Sequence, residues 1–515
     1  MPARQPNLLR YGLLLFAGFL ALFALRHAPT PQKVPGLLAL DPAGYLELAS
    51  RLNPVLLINQ WLGVAPMWLY RAELLLVLAF LFAVAWRAIE AARRRPPRPA
   101  DAWVIGAVVL LCSLPLLLLP YIFSRDVYSY IVYGRIAAIH GANPELTPPS
   151  AYPGDPFFQY LVSWRDTPSV YGPAWTLVSQ AITLLAEAAG GALWQYMLGY
   201  KLLMLGLHLA NAWLIWRLLG EWQPAQQTWG TLLYAWNPVA LIEFVGSAHN
   251  DILMLSFVLL SVLLAWRGRW RWALVALVCA GMVKWIALAL LPLYGFMLLC
   301  RAPTWPARLR LAGEAAALVA ATVLLLHLPY GQVAQAIAAP ISTQTAMRAE
   351  NTIGALAIAA GRHAAGRLGL GSAHDPALRQ ALEAGLGTIS KLLFGLGWLV
   401  ALFAIARRPT LERYVASSCW LLVFLLLVAP VFRVWYVTWP LALAALLSWR
   451  HAARLVFVFS ATAPLVYLHW GASGWSDALV YAPVVALLAA QLWRARATAW
   501  RWRPLEWRAR AWRAE

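Results

Sequence analysis

Long apolar runs alternate with short polar segments along almost the whole chain. The first run covers residues 8–26, and comparable runs recur as far as residue 492. Because a helix of about 20 apolar residues can span the hydrocarbon core of a bilayer, this pattern predicts repeated transmembrane helices. Arginine clusters separate many of the runs, beginning with Arg93, Arg94 and Arg95. Since Lys and Arg are retained in cytoplasmic loops, these clusters predict about 14 crossings with both termini in the cytoplasm.

The predicted crossings comprise single spans and one tight pair. They are residues 8–26, 74–86, 103–122, 197–216, 231–245, 253–266, two short helices within 272–299, and then 311–328, 390–406, 415–431, 434–447, 455–468 and 478–492. The run 272–299 begins and ends beside arginine clusters, so it must turn at the far side, and Lys284 is the expected turning point. Residues 128–139 and 175–189 flank a long external region and are predicted to be amphipathic helices on the membrane surface.

The predicted fold class is an all-α polytopic membrane protein with about 13–14 transmembrane helices. We expect one integral membrane domain over residues 1–515, with an N-terminal helix pair in 1–92, a helical core in 101–495 and a basic-aromatic cytoplasmic tail in 496–515. The composition agrees, since 62% of the residues are hydrophobic and 12% are charged. The 41 Lys and Arg against 21 Asp and Glu lie between apolar runs, as sidedness requires, so the charge does not predict nucleic acid as a partner.

The same sidedness rule brings one set of polar residues to the external face. Ionisable residues near membrane depth are costly and usually face a cavity, so their convergence predicts a polar site there. The set is Arg125, Asp126, Glu243, His249, Asn250, Asp251, Lys284, Arg348, Asn351 and Arg433.

Asp126 is the candidate catalytic residue. It follows the apolar run 103–122 and precedes an aromatic helix, a position in which a partly desolvated carboxylate can take the proton of an attacking hydroxyl. The alternative is that Asp126 only pairs with Arg125 or caps the following helix, where Asp is favoured.

The His249-Asn250-Asp251 triplet lies where one predicted crossing ends and the next begins. One hypothesis gives it a substrate role, because Asn and Asp side chains suit sugar hydroxyls. The alternative is a turn in which Asp251 caps the next helix. One histidine and one carboxylate so close in sequence are a weak metal signal, so we predict no metal ion.

Lys284 and Arg433 are cations at external helix ends. Each alone is explained by snorkelling to lipid headgroups. Together with Arg348 they could instead hold a phosphate and stabilise it as a leaving group. The aromatic residues beside Arg433 (Trp435, Tyr436 and Trp439) belong either to the membrane-interface belt or to a surface that stacks on a sugar or a lipid tail.

An ordered set of motifs resembles the bacterial GT-C glycosyltransferases, and within them the polyprenol-phosphate-mannose-dependent α-1,6-mannosyltransferases. The resemblance covers the chain from about the third crossing to the penultimate one. The motifs are Arg125-Asp126-Val127-Tyr128-Ser129-Tyr130, Tyr133-Gly134-Arg135, Asn143-Pro144, Tyr171-Gly172-Pro173, Trp236-Asn237-Pro238, His249-Asn250-Asp251 and Trp435-Tyr436 with Trp439-Pro440.

The resemblance implies a GT-C-like helical bundle with Asp126 as the catalytic base on its first large external loop. It implies transfer of a hexose, here mannose, from a polyprenyl-phosphate donor to a glycan or glycolipid hydroxyl, with inversion, at the external face of the inner membrane. No cofactor and no metal are expected, because relatives with this donor type generally need no metal and Arg125-Asp126 stands here where some other relatives have an acidic pair. The expected substrate-binding residues are Arg125, Tyr128, Tyr171, His249, Asn250, Asp251, Lys284, Arg348, Asn351, Arg433 and Tyr436.

Two other classes of protein compete with an enzyme. A transporter or flippase for a lipid-linked or small polar substrate would also need helices and charges. It is expected to show inverted repeats and broken helices near the bilayer midplane, and the sequence shows no such symmetry. A non-catalytic assembly subunit would not bring the polar residues together.

Overall fold

Helices form nearly all the regular structure of the protein in the computed structural model, which describes residues 8–26, 66–344, 350–367, 375–468 and 475–498. Within these ranges the β structure is limited to one isolated parallel bridge between Glu350 and Val431. The predicted all-α class is therefore confirmed. The described helices of seven residues or more are numbered in chain order: α1 Leu8–Arg26, α2 Pro66–Arg93, α3 Pro99–Leu118, α4 Asp126–Ala138, α5 Pro173–Ala188, α6 Leu193–Trp222, α7 Gln227–Ala235, α8 Asp251–Trp266, α9 Trp270–Val283, α10 Leu291–Arg301, α11 Trp305–His327, α12 Val333–Gln344, α13 Ile353–Arg367, α14 Pro376–Arg407, α15 Leu411–Val428, α16 Thr438–Ala444, α17 Arg454–Thr462 and α18 Trp475–Thr498.

Seven of the described helices are long and apolar enough to cross a membrane, and a bent pair formed by Pro238–Gly246 and Asp251–Trp266 raises the number to eight. Four shorter apolar helices accompany them: Trp270–Val283, Trp285–Arg301, Val434–Ala444 and Arg454–Leu468. The protein is thus a polytopic membrane protein. The total of 13–14 crossings stays a prediction, because each predicted crossing coincides with apolar helix but several of these helices are shorter than a bilayer requires.

The tight pair within residues 272–299 turns at Lys284. Helix α9 ends at Val283, and a 3-10 helix begins at Trp285. The Tyr294 hydroxyl donates to the Trp270 carbonyl over 3.5 Å, so α10 runs back beside α9. The expected position of this turn is confirmed.

Helix α4 is enclosed, and this corrects the prediction that residues 128–139 lie on the membrane surface. Every residue from Val127 to Ala137 is buried. Gly134 explains how a neighbouring helix comes so close: a Cβ there would lie 2.6 Å from the Thr183 Oγ1 and 2.7 Å from the Ser179 carbonyl oxygen of α5. The aromatic and small polar residues of this segment therefore belong to a helix that is covered by protein on all sides.

Helix α5 is amphipathic, as predicted for residues 175–189. Its residues Trp175, Ser179 and Ile182 are buried, whereas Leu184 and Leu185 are exposed. The face with Ser179 packs against α4. The apolar outer face is available to lipid.

The segment before α4 is held by a buried lysine. Helix α3 ends at Leu118, and the Lys201 ammonium of α6 donates to the carbonyls of Leu116 and Leu119 over 2.8 and 2.6 Å. Carbonyls at a helix C-terminus lack helical partners and carry partial negative charge, so an ammonium satisfies them well. This contact fixes the end of α3 only a few residues before Asp126.

Candidate active site

Asp126 is the first residue of α4, and 19% of its side chain is exposed. Its backbone N–H donates to the Ser124 Oγ over 3.3 Å. Burial raises the pKa of this carboxyl above its ordinary value, and the nearby Asp251 adds to the shift while Lys284 and Arg433 oppose it. Because a more basic carboxylate accepts a proton more readily, this environment suits a general base.

Arg125 does not neutralise Asp126. Its guanidinium donates to the Tyr121 hydroxyl over 2.7 Å and lies 4.8 Å above the same ring. Tyr128 belongs to this neighbouring aromatic group, stacking on Tyr160 at 5.9 Å with its hydroxyl buried and without a described hydrogen-bond partner. The structure therefore places Arg125 and Tyr128 in a group beside Asp126, and the ion pair considered above does not form.

A break in a helix carries the His249-Asn250-Asp251 triplet to Asp126. The turns of Leu241–Gly246 are of the π type. The chain direction bends by 118° between Pro238–Gly246 and Asp251–Trp266. Ala248 within the break has φ +60°, a left-handed conformation that is strained for a residue other than glycine. Such π turns and strained residues are concentrated at functional sites.

His249 lies between two carboxylates. Its Nδ1 is 3.6 Å from the Asp126 Oδ2, and its Nε2 is 3.3 Å from the Glu243 Oε2. The ring is fully buried and stacks on Trp435, with the ring centroids 3.8 Å apart. Glu243 is held in turn by the Tyr467 hydroxyl, which donates to Oε1 over 2.8 Å.

Asp251 and Lys284 form an ion pair inside an aromatic enclosure. The ammonium lies 2.8 and 2.9 Å from the two carboxylate oxygens, and the Trp439 indole N–H donates to the same carboxylate over 2.5 Å. The rings of Tyr171, Tyr436 and Trp439 lie 5.8, 5.3 and 5.6 Å from the ammonium. Asp251 is thus engaged with Lys284 and Trp439, and the capping alternative does not explain its side chain.

Asn250 contacts the same aromatic wall. The Tyr130 hydroxyl donates to its Oδ1 over 3.5 Å, and Tyr130 packs edge to face against Tyr171 at 5.2 Å. The Asn250 Nδ2 is buried without a described hydrogen-bond partner. The whole triplet is buried, whereas 19% of the Asp126 side chain and 16% of the Lys284 side chain are exposed.

The remaining predicted residues lie at the edge of this cluster or beyond it. Arg433 pairs with Glu350 over 2.6 Å. Asn351 has φ +56°, donates to the Phe432 carbonyl over 3.5 Å and accepts from the Tyr481 hydroxyl, so its described contacts hold the bridge beside Arg433. Arg348 lies outside the described residues.

The structure adds side chains that the sequence did not select for the site. Glu243 was placed in the external polar set without a role, Tyr130 appeared only as part of the motif that begins at Arg125, and Tyr467 was not singled out. For Glu243 a signal existed, because a carboxylate inside an apolar run is rarely without function. Tyr467 and Tyr130 carry no comparable signal, since tyrosines are common at membrane interfaces.

No group of three or more His, Cys, Asp and Glu side chains in the described ranges is arranged to hold a metal ion. That the protein needs none stays a prediction. The described geometry offers a partly buried carboxylate, a histidine between two carboxylates, two cations and a wall of aromatic rings. Together these features define a helical membrane protein with a polar centre suited to moving a proton beside an anionic group.

Comparison with known proteins identifies the family. The family model described as alpha-(1→6)-mannopyranosyltransferase, N-terminal domain, matches residues 38–300. This range includes Asp126, the triplet and Lys284. The chain belongs to this family.

Curated relatives agree with this assignment. The chain is similar to alpha-(1→6)-mannopyranosyltransferase A of Corynebacterium glutamicum, with 27% identity over 195 residues, which is 38% of each chain. It is 30% identical over 197 residues to a probable alpha-(1→6)-mannopyranosyltransferase of Mycolicibacterium smegmatis, covering 37% of this chain and 34% of that one. Alpha-(1→6)-mannopyranosyltransferase A of Mycobacterium tuberculosis is 30% identical over 192 residues, covering 36% of this chain and 35% of that one. The matched segment is thus little more than a third of each relative.

Proposed function

We propose that the protein is an inverting mannosyltransferase that uses a polyprenyl-phosphate-linked donor and a glycan or glycolipid acceptor. The observation that carries the proposal is the position of Asp126, a partly buried carboxylate whose pKa is raised by burial, an effect that the nearby charges of Lys284 and Arg433 oppose. The names of the relatives specify α-(1→6)-mannosyl transfer and support the sugar. The same active site is proposed to face the external side of the inner membrane.

In the proposed reaction, Asp126 takes the proton of the acceptor hydroxyl as that oxygen attacks the anomeric carbon. A new carbon–oxygen bond forms while the bond to the polyprenyl phosphate breaks, and the phosphate leaves with the electron pair. Attack opposite the leaving group converts a β-linked donor into an α-linked product. Arg433 and Lys284 would offset the charge that develops on the phosphate.

Lys284 is suited to this role only in part, because both oxygens of Asp251 already contact its ammonium. An ammonium carries three donors, so at least one remains for a phosphate or sugar oxygen. Arg433 has a more exposed side chain and presents a planar guanidinium that can bind two phosphate oxygens. We therefore assign the main phosphate contact to Arg433 and the sugar to the wall formed by Tyr436, Trp439 and Lys284.

A transfer assay tests the proposal. Purified protein in lipid nanodiscs is incubated with radiolabelled polyprenyl-phosphate mannose and a short α-1,6-linked mannoside, and the product linkage is determined by NMR. We expect an α-linked product from this donor and none from polyprenyl-phosphate glucose or GDP-mannose. Transfer from GDP-mannose alone would contradict the donor class. Movement of the lipid across the bilayer without a new glycosidic bond would favour the transporter alternative.

The proposed orientation has its own test. The exposed loop residue Ser163 and the exposed Arg94 are replaced singly by cysteine in a chain whose four native cysteines are replaced by alanine. A membrane-impermeant maleimide should label S163C, but not R94C, in spheroplasts. The reverse pattern would place the site on the cytoplasmic side.

A further inference from the structure

His249 is a buried titratable group to which the proposed reaction gives no role. None of its side chain is exposed, and Trp435 covers one face of the ring. Neither ring nitrogen makes a hydrogen bond within the described part of the chain. Each nitrogen instead faces one carboxylate, Asp126 on one side and Glu243 on the other.

The surrounding charges come from four parts of the chain. Asp126 begins α4, Glu243 lies on the π turns, Asp251 begins α8 and Lys284 follows α9. Burial disfavours a charged ring, so the resting imidazole is neutral. A transient imidazolium is nevertheless favoured by two carboxylates within 3.6 Å and by the stacked indole face.

Glu243 specifies which nitrogen can accept a proton. Its Oε1 is occupied by the Tyr467 hydroxyl, which leaves Oε2 toward the His249 Nε2. The proton transfer proposed below uses Glu243 in its ionised form, which can only accept, so that the ring proton lies on Nε2. The lone pair of Nδ1 then points toward Asp126.

We propose that His249 is a positioning residue that receives from Asp126 the proton released by the acceptor hydroxyl, with Glu243 holding the ring in the required tautomer. The inference rests on the proposed function. The proton moves first from the acceptor oxygen to Asp126, as the glycosidic bond forms. It then passes from the Asp126 carboxyl to the His249 Nδ1, which restores the Asp126 carboxylate, and it returns to solvent when the products leave.

This role explains why the ring is covered. A histidine that bound the sugar would expose a nitrogen to the substrate, whereas each nitrogen here is buried and faces a carboxylate of the protein. It also explains why Glu243 is buried in an apolar segment, where an unpaired carboxylate would be costly.

The test compares His249→Gln, Glu243→Gln and the double variant in the nanodisc assay. His249→Gln keeps an amide near Glu243 but cannot accept a proton. We expect kcat to fall about 30- to 100-fold with the donor KM within about twofold, and the solvent deuterium isotope effect on kcat to rise, because proton removal from Asp126 becomes limiting. Glu243→Gln should lower kcat about tenfold, and the double variant should be no more than about twofold below His249→Gln, because Glu243 acts through His249.

His208→Gln is the matched control. His208 is also fully buried and stacked on an aromatic ring, Tyr234, but its Nε2 contacts the main-chain carbonyl of Ala235. This variant should keep the wild-type kcat and isotope effect in its folded fraction. His249→Asn is the second variant if His249→Gln does not fold, and donor binding confirms the fold of each.

Three results separate this inference from the proposed function. In the first result, the wild-type protein transfers mannose, Asp126→Asn abolishes the transfer, and His249→Gln keeps kcat within twofold of wild type. This result would overturn only the role of His249. Multiplying effects of the His249 and Glu243 substitutions would also overturn it. Failure of the wild-type protein to transfer mannose, or full activity of Asp126→Asn, would instead overturn the proposed function.

Discussion

The two ends of helix α4 (Asp126–Ala138) carry polar networks of opposite character. At its N-terminus, Asp126 faces His249, and several buried atoms lack described hydrogen bonds: both nitrogens of His249, the Glu243 Oε2 and the Asn250 Nδ2. At its C-terminus, Arg135 donates to Asp155 over 2.9 and 3.1 Å, to the Tyr196 hydroxyl over 2.8 Å and to Glu187.

The difference teaches which network is structural. Asp155 also accepts from the Phe157 N–H and contacts the His140 Nε2, each at 2.9 Å, so its oxygens are fully used. A buried polar atom without a partner costs about 1–3 kcal/mol, and a native structure retains such a cost where a substrate or a proton will use it. The Arg135 network is therefore completed by the protein itself, whereas the Asp126 end keeps buried polar atoms without a described partner.

The pKa shifts of the two aspartates have opposite signs. Burial raises the pKa of Asp126. Burial also raises the pKa of Asp155, but hydrogen bonds from Phe157, His140 and Arg135 have the larger combined effect, so the pKa of Asp155 is lowered. Asp155 therefore adds stability above its unfolded pKa that is lost as the pH falls through its folded pKa. Ionised Asp126 instead reduces stability as the pH rises through the window between its unfolded and folded values.

The largest expected effect is that of Asp126→Asn. Loss of the base should lower kcat about 1,000-fold, within the range of about 10²–10⁴ typical of general base catalysis. Because partial burial makes the Asp126 carboxylate costly to ionise, the neutral amide should leave the melting temperature at pH 7 unchanged or higher. Transfer assays and thermal unfolding of the same preparation measure both. If Asp126→Asn lost activity because the protein unfolded, Asp126 would be needed for stability, and the two ends of α4 would not differ in function.

Arg135→Met should act on stability instead. It leaves Asp155 and Glu187 without their buried cation, which typically costs about 3–5 kcal/mol. We expect a lower melting temperature and poor yield, with kcat per folded molecule within about twofold of wild type. A large fall in kcat with an unchanged melting temperature would show that the C-terminal network also serves the reaction.

Gly134→Ala tests the helix contact between the two networks. The added Cβ would lie within 2.7 Å of a main-chain oxygen of α5, which can move only with the helix. Overpacking of this kind costs about 1–3 kcal/mol, and a shifted α4 should also lower kcat a few-fold. Gly106→Ala is the control, because nothing lies within 4 Å of a Cβ there. Equal effects of the two substitutions would contradict the close packing of α4 on α5.

The smallest effect is expected in the pH dependence. Asp126 must be ionised to act as a base, so kcat/KM should fall about tenfold per unit below its pKa, with a midpoint above the ordinary aspartate value of about 3.9. Asp155→Asn should leave this midpoint unchanged. It should also make the melting temperature fall less steeply as the pH is lowered. A midpoint at or below the ordinary value would contradict the environment described for Asp126.

The sequence predicted the fold from two rules, the length of apolar runs and the sidedness of arginine clusters. These rules found the turn at Lys284 and brought Asp126, Asp251 and Lys284 to one face, because each depends only on the order of segments along the chain. They could not separate Asn351, which bonds Phe432 and Tyr481, from residues that face Asp126. That distinction needs the direction of each side chain.

The enclosure of α4 was missed for a related reason. A helix whose surface carries aromatic, small and polar residues has the same pattern whether it lies at an interface or inside a polar packing network. Only the close approach at Gly134 and the bonds of Arg135 distinguish the two, and both join residues far apart in the sequence. The pairing of His249 with Glu243 likewise depends on the π turns, which no periodic pattern predicts.

Lys201 has a consequence for biosynthesis. A lysine within a transmembrane helix costs about 2.5–3.5 kcal/mol to insert when it lies near the bilayer centre. The carbonyls of Leu116 and Leu119 that receive its ammonium belong to a helix made earlier in translation. When α6 leaves the ribosome, the carbonyls that accept from Lys201 are therefore already in the membrane. Because of this order of helices along the chain, the ammonium of Lys201 can be hydrogen-bonded as soon as α6 is inserted.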